Sequence, residues 1–213
     1  MSNRRAFVIL FCVLFLPLKN AGALGPVDGE IGIGWWANDF EADISEAELD
    51  AGSTFIYGEG WLGDHWGLRG AWYDSDLEGE EFSDQTRFNL EIRRKFFSVT
   101  DNNFVALGAG IENVDLENGS DTQGLRLSAE GRFGIPGPFF LYGRVAWVPE
   151  LSDAGNFSDI SAKEIDAGIH ITPFPFMSLR FGYQKYELDY DIPIIGSAGS
   201  STSGAYLGLG VHW

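Results

Sequence analysis

Ala205-Tyr206-Leu207-Gly208-Leu209-Gly210-Val211-His212-Trp213 closes the chain. Leu207, Leu209, Val211 and Trp213 take one set of alternate positions, and Tyr206, Gly208, Gly210 and His212 take the other. Side chains of a strand alternate between its two sides, so this segment has one apolar face and one small or polar face. A strand with lipid on one side and a polar interior on the other needs that pattern.

The other end of the chain agrees about the compartment. Arg4 and Arg5 precede an apolar run over residues 6–16, and Ala21-Gly22-Ala23 supplies small residues at cleavage spacing. Residues 1–23 therefore read as a secretory signal peptide, and 24–213 as one barrel domain. The run falls short of the ~20 residues that a spanning helix requires. Cys12 follows Phe11 where a lipoprotein signal needs a small residue, so no lipid is expected on that thiol. It is the only cysteine, which leaves the domain without disulfide or thiolate chemistry. In an exported chain, Leu207, Leu209, Val211 and Trp213 resemble the signal by which the barrel-assembly machinery accepts its clients. That machinery is the partner expected during biogenesis.

Working back from the last strand, the alternation recurs over residues 177–186, 162–171, 139–148, 123–133, 103–111, 86–96, 66–73, 53–62 and 27–37. The clearest case is 86–96, where Phe88, Leu90 and Ile92 alternate with Arg87, Asn89, Glu91 and Arg93. Connections after odd-numbered strands are long, over 38–52, 74–85, 112–122, 150–161 and 187–204. Those after even-numbered strands are short and turn-like, over 63–65, 97–102, 134–138 and 172–176. Short periplasmic turns, long external loops and periplasmic termini are how outer-membrane barrels are built. The reading is an all-β transmembrane antiparallel up-and-down β-barrel of ten strands, or eight if the first hairpin is misread. It would be integral to the outer membrane of a Gram-negative bacterium. A soluble barrel would also alternate, but with its apolar residues inside.

Charge then sorts by height. Removing Arg4, Arg5 and Lys19 from 14 Lys plus Arg leaves 11 bases against 31 acids, a net charge of about −20. A nucleic-acid partner is excluded, since phosphate neutralisation needs basic surface. The long connections hold 22 of the 31 acids and no Lys or Arg. Among them Asp74, Asp76, Glu78, Glu80 and Glu81 are candidate contacts for Ca²⁺ or Mg²⁺, which take oxygen ligands. Such ions would bridge the loops to lipopolysaccharide phosphates, and a solvated, self-repelling surface is the alternative. No cofactor is expected.

All 11 bases lie on strands. Arg69, Arg87, Arg93, Arg126, Arg132, Arg144 and Arg180 fall on the face assigned to the lumen, with Glu30, Glu59, Glu91, Glu130, Glu164 and Asp166. Two states fit this set. One is a narrow pore selecting solutes by charge. The other, favoured, is a plug in which long side chains pair across the interior, because an unpaired buried charge costs several kcal/mol. Gly32, Gly34, Gly108, Gly110, Gly208 and Gly210 on the same face would leave room for a small pore.

An enzyme acting on lipid or peptide would need a nucleophile with a base, or acid and histidine pairs on the external rim. His65, His170 and His212 all map to the periplasmic side, so no catalytic constellation forms. A loop-mediated adhesin or receptor is the other alternative. Leu141-Tyr142-Gly143-Arg144, Val148-Pro149-Glu150-Leu151-Ser152, residues 164–168 and Leu179-Arg180-Phe181-Gly182-Tyr183-Gln184-Lys185-Tyr186 resemble the YfaZ-type outer-membrane family. In that family an aromatic strand leads to a Pro-Glu-Leu-Ser loop and then to a Gly-Tyr-x-x-Tyr strand. The resemblance covers about the last 75 residues. It implies a small outer-membrane barrel, structural or porin-like, and transfers no catalytic residue.

Overall fold

The computed structural model describes residues 27–42, 45–77, 85–100, 103–116, 120–135, 137–153, 155, 157–193 and 196–213. Its elements are the strands β1 (Val27–Ala42), β2 (Ser45–Leu62), β3 (Trp66–Leu77), β4 (Gln85–Thr100), β5 (Asn103–Leu116), β6 (Ser120–Ile135), β7 (Phe139–Leu151), β8 (Ser158–Phe174), β9 (Met177–Ile192) and β10 (Gly196–His212). No helix occurs among the described residues. Each strand pairs antiparallel with its neighbours in sequence, and β1 pairs with β10 from Glu30↔His212 to Ala42↔Ser200, which closes the barrel. The segment read as a signal peptide lies outside the described residues.

The period-two pattern sets the two surfaces. On β4 Arg87, Asn89, Glu91, Arg93 and Lys95 are buried while Phe88, Leu90 and Ile92 are exposed. On β10 Leu207, Leu209 and Val211 face out and Tyr206 faces in. The molecule thus has an apolar exterior and a charged interior, the reverse of a water-soluble barrel and the arrangement that lipid stabilises. Trp66, Phe96, Phe133, Phe139, Phe174, Phe176 and Trp213 are exposed beside the short turns. They form the aromatic girdle expected at one membrane boundary. Arg94 turns outward there, its guanidinium carbon 5.3 Å from the Trp66 ring centre and 5.6 Å from that of Phe96.

The end bearing the short turns and the C-terminus is called here the turn end, and the opposite one the loop end. At the loop end the strands run further than the apolar alternation suggests. Residues 38–52 are mostly paired strand, from Asn38↔Ala51 to Glu41↔Glu48. Residues 187–204 likewise pair from Ser201↔Glu187 to Gly196↔Ile192. The apolar outer face ends there, but a backbone ladder continues with Asp39, Glu41 and Asp189 outside and Phe40 and Leu188 inside.

The Val148-to-Ser152 motif corrects a second expectation, because it is a β-bulge inside β7 rather than a loop. Val148 pairs with Ala162 and Leu151 with Ile160, so β7 uses three steps where β8 uses two. Proline lacks the ladder donor and suits such a position. Pro149 and Glu150 are both exposed, which resets the alternation and sends Leu151, not Glu150, into the lumen. Ser152 then ties the bulge to β6, accepting at Oγ from Gln123 N (3.0 Å) and donating its own N–H to Gln123 O (2.9 Å).

Candidate functional site: the charged lumen

All seven predicted arginines enter the lumen and are buried or nearly so, and each is ion-paired. Alternate positions bring them to carboxylates on neighbouring strands, as for Arg69, Arg126 and Arg144, and across the lumen, as for Arg87 and Arg132. Toward the turn end, Arg93 meets Glu59 (3.1 Å) and Glu130 (2.5 Å), and Arg132 meets the same two acids at 2.5 and 2.6 Å. Arg180 joins Glu59 (3.2 Å) to Glu30 (3.1 Å). Glu30 also accepts from Tyr57 Oη (2.7 Å) and Ser178 Oγ (2.9 Å). His170 lies 3.4 Å from Glu30, with its ring centre 4.2 Å from that of Phe140.

A second group fills the lumen nearer the loop end. Arg69 reaches Glu91 (3.5 Å), Arg126 binds Glu112 and lies 3.2 Å from Glu164, and Arg87 lies 3.0 Å from Glu164. Arg144 binds Glu164 and, at 3.0 Å, Asp166, which accepts from Tyr206 Oη at 2.7 Å. The first group holds three arginines and three acids, the second four and four. Every acid in the predicted set is therefore in one of the two groups, and the opposing charges match in number.

Glu112 is the member the sequence reading missed. That reading ended the fifth strand at Ile111 and placed Glu112 in a loop, whereas β5 continues to Leu116 and buries Glu112 completely. Its position on the even, inward-facing register of Ala106, Gly108 and Gly110 is the signal that would have found it. Lys95 is an inward base that the same reading also missed. Its Nζ sits 4.4 Å from the Trp61 ring centre and 4.6 Å from that of Phe104, so aromatic faces receive it at the turn end.

Two of the inward glycines, Gly32 and Gly34, face aromatic rings. A Cβ on Gly32 would lie 2.4 Å from Tyr57 Cζ, and one on Gly34 would lie 2.1 Å from Phe55 Cζ. The space opened on β1 and β10 is occupied by aromatic rings from β2. Phe55 stacks on Tyr73 with centres 5.7 Å apart and meets Tyr206 edge-on at 5.4 Å.

The other predicted positions are dispersed. Leu207, Leu209, Val211 and Trp213 line the outside of the β1–β10 seam, where Trp213 N donates to Gly29 O (3.0 Å) and Gly29 N to Trp213 O (3.2 Å). Of the acids considered for divalent cations, Asp74 and the backbone of Asp76 belong to β3, while Glu78, Glu80 and Glu81 lie outside the described residues. Among the described residues no three His, Cys, Asp or Glu side chains are grouped to hold a metal. His65 is exposed in the β2–β3 turn and His212 ends β10, both far along the chain from the loop end.

A closed ten-strand antiparallel barrel with a lipid-type exterior defines the class: the fold is that of outer-membrane β-barrels. Among solved structures, the outer-membrane protease OmpT from Escherichia coli matches with a TM-score of 0.58 at 9% identity, over 87% of this chain and 97% of that one. Neisserial surface protein A matches at 0.45 with 14% identity, over 86% and 96%. The translocator domain of the autotransporter NalP from Neisseria meningitidis matches at 0.39 with 9% identity, over 99% and 94%. No family model and no curated protein matches the chain. The likeness to the YfaZ-type family therefore stays one of motifs.

Proposed function

We propose that this is an integral outer-membrane barrel with a structural role, porin-like in build but closed at rest. Its loop end would face the medium and its termini the periplasm. The observation that carries this reading is the pairing of charge in the lumen: among the described residues seven arginines pair with seven carboxylates, beside the inward Lys95, and aromatic rings stand against the glycines of β1. Strands that continue as a polar ladder beyond the apolar band would present Asp39, Glu41, Asp189 and Asp191 to the outer leaflet. Divalent cations are the proposed link from this rim to lipopolysaccharide phosphates. Membership in the YfaZ-type family belongs to the same proposal, carried by residues 148–152 and 179–186.

No enzymatic role is proposed. The histidines sit in the turn end or inside the ion network, with His170 held against Glu30 and Phe140, away from any rim carboxylate. The fold shared with OmpT at 9% identity brings no catalytic residue with it.

Planar-bilayer recording of the refolded protein, in KCl and in CaCl₂, tests the proposal. A folded protein that gives no current steps supports it. Stable steps from the wild type overturn it and make the lumen a pore.

A further inference from the structure

The ion network is not the outermost closure of the lumen. A contiguous cluster of buried apolar and aromatic side chains drawn from most of the strands extends to its loop side, while Tyr57 and Tyr206 of the same cluster reach down to Glu30 and Asp166 of the network. Trp36 comes from β1, Tyr73 from β3, Leu151 from β7, Ile160 from β8, and Tyr186 and Leu188 from β9. Trp36 meets Tyr73 edge-on with ring centres 6.3 Å apart, and Leu151 is the register partner of Ile160 on the adjacent strand. The β7 bulge is what delivers Leu151 to this level instead of Glu150.

Arg87, a member of the ion network through Glu164, reaches into the layer. The guanidinium carbon of Arg87 lies 4.1 Å from the Tyr73 ring centre and 4.0 Å from that of Tyr186, so the two rings clamp it from both sides. Beyond it, toward the loop end, a pocket of about 10 Å³ is lined by Ser75, Gln85 and Thr202 together with the clamp. That volume holds about one water molecule. Beneath it Asn89 is fully buried, and neither its Nδ2 nor its Oδ1 has a hydrogen-bond partner.

We infer that this layer is a hydrophobic gate: an apolar septum, with Arg87 clamped between Tyr73 and Tyr186 at its centre, that bars water and small ions of the medium from the ion network. An apolar constriction closes by dewetting, which needs no charge pairing. The acidic rim repels anions, and Arg87 in the layer repels a cation that has passed the rim, so the entrance disfavours both signs. The inference rests on the closed-lumen reading and adds where and by what chemistry closure occurs.

Thiol accessibility tests it. With Cys12→Ser in place, Asn89→Cys sits below the septum and Ser75→Cys above it. Protein extracted from outer membranes in detergent is exposed to a small methanethiosulfonate, and heat-modifiable migration on gels shows that the barrel is folded. Ser75→Cys reacts readily, and Asn89→Cys reacts slowly. Adding Leu151→Ser with Ile160→Ser raises the rate at Asn89→Cys by about tenfold or more while leaving Ser75→Cys unchanged. Should that pair not assemble, Tyr186→Ala removes one wall of the clamp and serves the same measurement. An Asn89→Cys rate that is fast with the septum intact overturns the gate, as does one that stays slow in folded septum variants. Current from the wild type in bilayers strikes the closed-lumen reading, whereas these labelling rates strike the septum alone.

Discussion

Glu112 of β5 is bound to Arg126 of β6, and both side chains are fully shielded from solvent. Arg126 also faces Glu164, and Arg87 shares Glu164 with it, so Glu112 balances a cluster rather than one partner. Removing one partner of a buried pair leaves an uncompensated charge, at a cost of about 3–5 kcal/mol. Glu112→Gln should lower the unfolding free energy in detergent micelles by that order. Asp121→Asn, at an exposed position on β6, should stay within about 0.5 kcal/mol of wild type. Equal effects in equilibrium urea unfolding would show that Glu112 is not part of the network.

Gly32 and Tyr57 are coupled by volume, since a Cβ at the first would press on the ring of the second. Gly32→Ala should destabilise the barrel by about 1–3 kcal/mol, the usual range for overpacking. In a Tyr57→Ala background the same change should cost nothing or stabilise by about 0.5 kcal/mol, because alanine is the better strand residue once space exists. A double-mutant cycle reads the coupling directly. Additive effects would mean that the ring does not fill the glycine wall.

How much of this was legible beforehand follows from what a strand shows in its side chains. Where one face meets lipid, as at Phe88, Leu90 and Ile92, the apolar period identifies the strand and the charges between give the lumen set. Beyond the lipid band no such constraint acts, so Asn38 to Ala42 and Glu187 to Ile192 read as loop while pairing as strand. Glu112 was lost to that boundary. The bulge at Pro149 was hidden for another reason: one inserted residue flips every later side chain, and alternation counted along one strand does not reveal where it occurs. β2 was hard to orient because its inward residues Phe55, Tyr57 and Trp61 are as apolar as its outward ones. Those rings stand against the inward glycines of β1 and β10, which the strand pattern alone does not reveal.

The bulge makes neighbouring substitutions on β7 sharply unequal. Leu151 is buried in the septum and Glu150 is exposed. Leu151→Glu buries a carboxylate without a partner and should cost several kcal/mol, or prevent assembly. Glu150→Leu should change stability by less than about 0.5 kcal/mol. Without the bulge, regular alternation from Val148 would put residue 150 inside and 151 outside, and the order would reverse. Urea midpoints of the two variants, compared with the folded yield in outer-membrane fractions, decide between the two registers.

Trp213 separates assembly from stability. Its backbone exchanges two hydrogen bonds with Gly29, and its ring covers Gly29, whose Cβ would lie 2.6 Å from Trp213 Cζ2. The ring is partly exposed at the β1–β10 seam, so its packing contributes only about 1–2 kcal/mol. Trp213→Ala keeps both backbone bonds and should therefore lower the stability of refolded protein by no more than that. If the terminal aromatic is also read by the assembly machinery, folded barrel in the outer membrane should fall far more steeply than stability does. Heat-modifiable bands in membrane fractions, set beside urea unfolding of the same variant refolded in detergent, measure the two effects. A parallel loss in both would leave Trp213 as a seam residue only, and an undiminished yield in cells would remove it from the assembly signal.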